Sequence, residues 1–103
     1  MGMAKKRPIA DSGHELEKVF ARISDHREMI SFFEEIFTPK EINDIVLRWQ
    51  LLKELREGHT QRSIAEKYHI SLCKITRGSK ILKKKNSTTK KILDTLYGKK
   101  DRP

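Results

Sequence analysis

Apolar residues recur along the chain at helical spacing, and short polar signatures punctuate them. Leu16, Val19, Phe20, Ile23, Ile30 and Phe33 form one stripe behind the capping-box pattern Ser12-Gly-His-Glu15. This predicts a first helix over roughly residues 12 to 35. Thr38-Pro39-Lys-Glu41 is a stronger start: Thr38 can cap, Pro39 suits the first helical position, and Glu41 can reach back to the cap's amide. The helix it opens carries Ile42, Ile45, Val46, Trp49, Leu52 and Leu55 on one stripe and stops at Gly58. Thr60 then caps a short helix through Lys67, Ser71 caps another towards Lys83, and Ser87 or Thr88 starts a last one with Ile92, Leu93 and Leu96. No segment sustains period-two alternation, so the predicted fold is all-α, with five to six short helices.

Such short helices bury little against one another. Phe20, Phe32, Phe33 and Phe37 lie close together in sequence and offer more apolar surface than one partner helix covers. A homodimer with a large shared core is therefore expected. The 103 residues argue for one compact domain. Ile, Leu, Val and Phe make up 26 of them, above the roughly 20% floor below which charged chains stay disordered. The expected organisation is a disordered basic arm at 1–10, a helical domain at 11–97 and a basic tail at 98–103. No run approaches the roughly 18 apolar residues of a membrane helix, so a cytoplasmic protein without a membrane partner is expected. The single cysteine, Cys73, forms no intrachain disulfide and supplies no metal cluster.

Charge is unevenly distributed. Residues 8 to 37 hold three basic and seven acidic side chains, whereas residues 60 to 103 hold thirteen basic and three acidic ones. That C-terminal excess of +10 marks a surface for a polyanion such as DNA or RNA. Within it, Gln61 to Thr76 has the spacing of a helix-turn-helix, placed at residues 60–83. Ile64, Tyr68, Ile70 and Ile75 supply the apolar wedge, Ala65 is small where the helices cross, and His69 occupies the turn position that favours a left-handed residue. Leu72, Cys73, Lys74, Thr76 and Lys80 then belong to the helix that would enter a major groove. Two amphipathic helices joined by a turn also occur in proteins that never touch DNA. The outward face decides between the readings: it carries Arg62, Lys74, Thr76, Lys80 and Lys83 with only Glu66 as a nearby acid. RNA-type aromatic pairs and Gly-rich clamping loops are absent from the sequence.

Phe37-Thr38-Pro39-Lys40-Glu41, then Arg48, Leu-Arg-Glu-Gly58, Gln61-Arg62 and Ile75-Thr-Arg-Gly-Ser79, in this order and spacing, resemble the tryptophan repressor family over about residues 31 to 83. The resemblance implies an intertwined helical homodimer that binds double-stranded operator DNA with L-tryptophan as corepressor and controls tryptophan biosynthesis or transport genes. It also implies site residues. Arg48 and Arg77 match the arginines that sandwich the indole, with Arg77 also facing the carboxylate. Thr38 matches a threonine near the ligand, and Gly78 a glycine that leaves room beside it. Backbone carbonyls around Glu35 to Phe37 would accept from the ligand ammonium across the dimer. Arg62 matches a base-contacting arginine, and Ala65, Leu72, Cys73, Lys74, Thr76 and Lys80 fall on the DNA-reading surface. Ile81 stands where the best-known members have a serine that helps the ammonium, which implies a weaker site or an indole-type ligand without an ammonium. Three residues of the reading helix also differ, so the operator sequence is not inherited. From charge and periodicity alone, Arg48 and Arg77 would read as surface arginines paired with acids or with phosphate.

Two other functions compete: a regulator of the same fold answering to another ligand or to none, and a DNA-binding protein without sequence preference. An enzyme is not expected, since His14, His26, His59 and His69 fall on separate elements and no nucleophile has an identifiable base.

Overall fold

Capping chemistry sets where the helices begin. The computed structural model describes residues 13–98, which form six helices: α1 (Glu15–Arg22), α2 (His26–Ile36), α3 (Pro39–Arg56), α4 (Gln61–Tyr68), α5 (Leu72–Lys83) and α6 (Thr88–Tyr97). No strand occurs among the described residues, and the fold is all-helical as expected. The basic arm at 1–10, Ser12 of the first capping box and the tail beyond Gly98 lie outside the described residues. The chain divides into two compact units, one ending at Ile42 and the other beginning at Asn43.

In the first unit, the single helix expected over residues 12 to 35 is two. α1 ends at Arg22, Ile23 takes an extended conformation, and Asp25 caps α2 by accepting from the Arg27 amide at 3.2 Å. The apolar spacing runs through this break, but a short acidic side chain that captures a backbone N–H outcompetes helix continuation. The four phenylalanines cluster as anticipated: Phe20 meets the Phe32 ring edge-on at 5.4 Å and Phe33 meets Phe37 at 5.1 Å, the edge-to-face geometry that aromatic quadrupoles favour. Thr38 and Glu41 form the full reciprocal box. The Glu41 amide donates to Thr38 Oγ1 at 3.1 Å and the Thr38 amide to Glu41 Oε1 at 2.9 Å.

The second unit holds the buried core of Leu51, Leu52, Ile64, Ile75 and Leu93, with Trp49, Leu55, Ala65, Tyr68, Ile70, Ile81 and Leu82 packed against it. Each of α3 to α6 therefore contributes an apolar side to one cluster. Thr60, Ser71 and Ser87 cap α4, α5 and α6 through their hydroxyls, as the sequence predicts. Of the stripe read along α3, Ile45 and Val46 are exposed, and on α6 Leu93 is fully buried while Ile92 and Leu96 are exposed. Gly78 sits where α5 meets α3. A Cβ there would lie 2.8 Å from Leu51 Cδ1 and 3.2 Å from Leu55 Cδ1, so the glycine permits the close approach of the two helices. α6 is tied to the end of α3 by Arg56, whose Nε donates to Asp94 Oδ1 at 2.9 Å and whose Nη2 reaches the Gly98 carbonyl. Lys53 lies 5.2 Å from the centroid of the Tyr97 ring.

Candidate ligand cleft and nucleic-acid interface

α4, the three residues His69 to Ser71 and α5 form a helix, a tight turn and a second helix. The turn closes on His69 at φ 56° and ψ 47°, the left-handed position expected of it. The amides of His69 and Ile70 both donate to the Ala65 carbonyl, the latter at 3.2 Å. Across the pair, the Thr76 hydroxyl donates to Gln61 Oε1 at 3.1 Å. Arg62, Leu72, Cys73, Lys74, Thr76 and Lys80 are all exposed, whereas Ala65 is half-buried against the core. The outward surface of the pair is thus polar and cationic, with Cys73 a free, exposed thiol.

A buried acid that the sequence reading did not single out fixes α4 on α3. The Glu54 carboxylate is 4% exposed. Its Oε2 accepts from Gln50 Nε2 at 2.9 Å, from Lys67 Nζ at 3.2 Å and from the Tyr68 hydroxyl. His59 Nδ1 lies 3.8 Å from Oε1, which has no hydrogen-bond partner among the described residues. The Gln50 and Tyr68 hydrogen bonds, with help from Lys67 and against the cost of burial, bring its pKa down to about 2. Its partners on α4 lie thirteen and fourteen residues away in sequence, so no local pattern announces them.

Below the α4–α5 turn, a cleft of about 90 Å³ is lined by Asp44, Leu47, Arg48, Leu51, Ile70, Lys74 and Arg77. The two arginines expected to share a ligand therefore border one cavity, although they come from α3 and α5. Three cations face one acid there, over a floor of leucine and isoleucine. That combination suits a flat apolar body carrying a negative group. The cleft is smaller than the roughly 300–1,000 Å³ that usually encloses a ligand. Gly78 and Ile81 do not line it: Gly78 faces the α3 leucines and Ile81 packs on the core. Thr38 belongs to the first unit, at the cap of α3. The sequence reading missed Asp44, Leu47, Leu51 and Ile70 as lining residues and assigned Lys74 to DNA alone. Helical spacing carries most of that signal, since positions 44, 47, 48 and 51 share one side of α3, and 74 and 77 one side of α5. A second cleft, of about 260 Å³, lies among Leu55, Arg56, Ser79, Leu82, Lys83 and Lys90. Among the described residues, no group of three His, Cys, Asp or Glu is placed to hold a metal, and no helix is long and apolar enough to cross a membrane.

Comparison with known proteins agrees with the resemblance. The family model described as Trp repressor protein matches residues 14–97. A Trp operon repressor homolog of Chlamydia trachomatis serovar L2 is 44% identical over 54 residues, covering 52% of this chain and 57% of the relative. One of serovar D is 35% identical over 71 residues, 64% of this chain and 76% of the relative. A Trp operon repressor homolog of Vibrio campbellii is 39% identical over 62 residues, 59% of this chain and 62% of the relative. The chain thus spans little more than half of the first of these relatives. No solved structure matches it.

Proposed function

The chain belongs to the Trp repressor family of transcriptional regulators, and from that premise we propose that it is a cytoplasmic, dimeric, DNA-binding repressor with L-tryptophan as its corepressor. The observation that carries the reading is the shared cleft: Arg48 and Arg77, the two residues matching the family's indole-binding arginines, border one cavity directly beneath the α4–α5 turn. Guanidinium planes on either side of a ring favour a flat aromatic ligand, and Arg77 can also meet its carboxylate. Thr38 and backbone carbonyls near Phe37, supplied across the dimer, would complete the site, while Gly78 and Ile81, which do not line the cleft, would act on it only through the packing of α5 on α3. Exposed Leu16, Val19, Ile30 and Ile36 of α1 and α2, and separately Ile92, Leu96 and Tyr97 of α6, supply apolar surface for the dimer.

Ligand binding would act by population shift. Ile70 lies in the α4–α5 turn, Lys74 and Arg77 stand on α5, and all three wall the cleft. A ligand wedged among them favours one setting of α5, the helix whose first turn presents Leu72, Cys73 and Lys74. In the dimer, both α5 helices would then enter successive major grooves about 34 Å apart. Arg62 would contact a guanine, while Thr76 and Lys80 would hold backbone or base edges. The target genes are those of tryptophan biosynthesis or transport.

Isothermal titration of L-tryptophan into the purified protein tests the cleft. One ligand per chain, with saturable heat abolished in Arg77→Ala, is the expected result; heat retained in the variant would remove Arg77 from the site. Operator-type DNA should bind more tightly with tryptophan than without. Equal affinity in both conditions would instead favour a regulator answering to another ligand, a reading motivated by the apolar Ile81. Equal affinity for random and palindromic DNA at matched salt would favour binding without sequence preference.

A further inference from the structure

We propose that His59 is a proton-operated latch at the corner between α3 and α4, and that mild acid closes it and strengthens DNA binding by seating the helix-turn-helix. The link to DNA rests on the DNA-binding reading above, whereas the latch rests on the corner alone. α3 ends in a pair of capping bonds. The His59 amide donates to the Glu54 carbonyl at 3.0 Å and the Gly58 amide to the Leu55 carbonyl at 3.1 Å, with Gly58 at φ 100°. This geometry folds the second residue past a helix back over its last turn, where an apolar contact frequently completes it. Here the same fold brings an imidazole between two carboxylates: Nδ1 lies 3.8 Å from Glu54 Oε1 and Nε2 lies 3.5 Å from Glu57 Oε1. Neutral imidazole carries one N–H and can serve one acid, whereas the imidazolium carries two and can serve both. Both distances exceed hydrogen-bond length, so the charged ring has slack to take up.

Glu54 Oε1 is the acceptor that gains. Gln50, Lys67 and Tyr68 all donate to Oε2, and the buried Oε1 has no hydrogen-bond partner among the described residues. Leaving such an acceptor without a donor is unfavourable. The Gln50 and Tyr68 hydrogen bonds bring the Glu54 pKa down to about 2, so the carboxylate stays charged throughout the range in which histidine titrates. The carbonyl end of α3 favours a cation as well. Of the other cations around the corner, Lys67 faces Glu54 from α4, Arg56 is held by Asp94, and Lys53 lies over the Tyr97 ring. Lys67 engages the other oxygen of Glu54 and leaves Oε1 to His59. Because His59 is exposed, its proton exchanges directly with solvent. The next residue, Thr60, caps α4 by accepting from the Ser63 amide at 3.1 Å, so His59 both closes α3 and leads into α4. Closing the latch narrows the settings open to α4, and apparent affinity scales with the fraction of molecules in the binding-competent one. The contribution is present while His59 is charged and is lost as the pH rises through the histidine range, near about 6.5.

The test compares the full chain with His59→Gln at about pH 5.5 and about pH 8, on either side of the histidine range. Thermal melting at one protein concentration reads the latch. The fall in melting temperature between the two conditions should be about 4 °C larger in the parent than in His59→Gln, and the excess should vanish when Glu54→Gln is made in both. Comparing parent with variant cancels the other histidines. Equal falls in parent and His59→Gln, or an excess that survives in Glu54→Gln, would overturn the latch. Affinity for a palindromic operator-type duplex at fixed salt and saturating L-tryptophan reads the coupling: its loss on raising the pH should be about threefold greater in the parent than in His59→Gln. Equal losses, with the melting excess present, would overturn the coupling to DNA. No DNA binding under either condition would overturn the DNA-binding reading instead, while melting still decides the latch.

Discussion

The Tyr68 hydroxyl, in the last turn of α4, donates a hydrogen bond to the buried carboxylate of Glu54 on α3. That contact and the one from Lys67 are what hold α4 by its polar side, while Ile64 holds it by its apolar side. Because the turn that follows Tyr68 carries Ile70 of the cleft wall, the same bond also fixes where that wall begins.

Tyr68→Phe keeps the ring and removes the hydroxyl. Glu54 retains Gln50 and Lys67, so the expected loss is about 1.5–3 kcal/mol, that of one hydrogen bond to a charged acceptor. Urea denaturation measures it. In Glu54→Gln, the further loss caused by Tyr68→Phe should shrink, because the charged acceptor is already gone.

Glu54 also sets an acid limit on stability. Its folded pKa, about 2, lies below the usual 4.5, so its contribution is fully present above pH 5 or so. It is lost as pH falls towards 2, where the folded state must take up the proton too. The difference corresponds to about 3 kcal/mol. Urea midpoints recorded from neutral pH down to pH 2 should fall steeply in the parent and less steeply in Glu54→Gln. Some slope should remain in the variant, because the Arg56 hydrogen bond, and then that of Lys90, hold the Asp94 carboxyl below its usual range as well.

Gly78→Ala places a methyl group 2.8 Å from Leu51 Cδ1. Alanine is the better helix former by about 1 kcal/mol, but Leu51 is buried and must shift, at about 1–3 kcal/mol for an overpacked core. A net destabilisation of about 1 kcal/mol is expected by thermal melting. Ligand affinity should fall as well, since Leu51 is part of the cleft floor.

Thr38→Ala removes the acceptor for the Glu41 amide and should cost about 1 kcal/mol. Thr38→Ser keeps the oxygen and should restore the stability. A ligand affinity that falls in Thr38→Ala and is not recovered in Thr38→Ser would mark a direct contact of the threonine methyl with the ligand, apart from capping.

What the sequence discloses here is mostly local. Thr38, Thr60, Ser71 and Ser87 cap their helices within three residues of themselves, and His69 fits its turn by backbone preference alone, so all five were legible. The break at Ile23 was not, because apolar spacing continues across it and a lone Asp25 is a weak signal beside that stripe. Arg48 and Arg77 were picked out by family pattern; periodicity marked them only as surface residues. Glu54 stayed hidden for a tertiary reason: on α3 it is one charged residue beside three leucines, and apart from Gln50 on the same helix its partners come from α4 and the loop before it. Lys74 was read through the charge of its helix, and only the folded chain puts it on the rim with both arginines.

Leu51 touches the position of Gly78 on one side and floors the cleft on the other. The cleft floor and the seat of α5 are therefore not separable at that leucine: any change that reshapes the one disturbs the other. The rim is different. Lys74 borders the cavity without belonging to the core, so a substitution there leaves the packing of α5 on Leu51 intact. For anyone reshaping this cleft, the rim is the adjustable part and the floor is the part to leave alone.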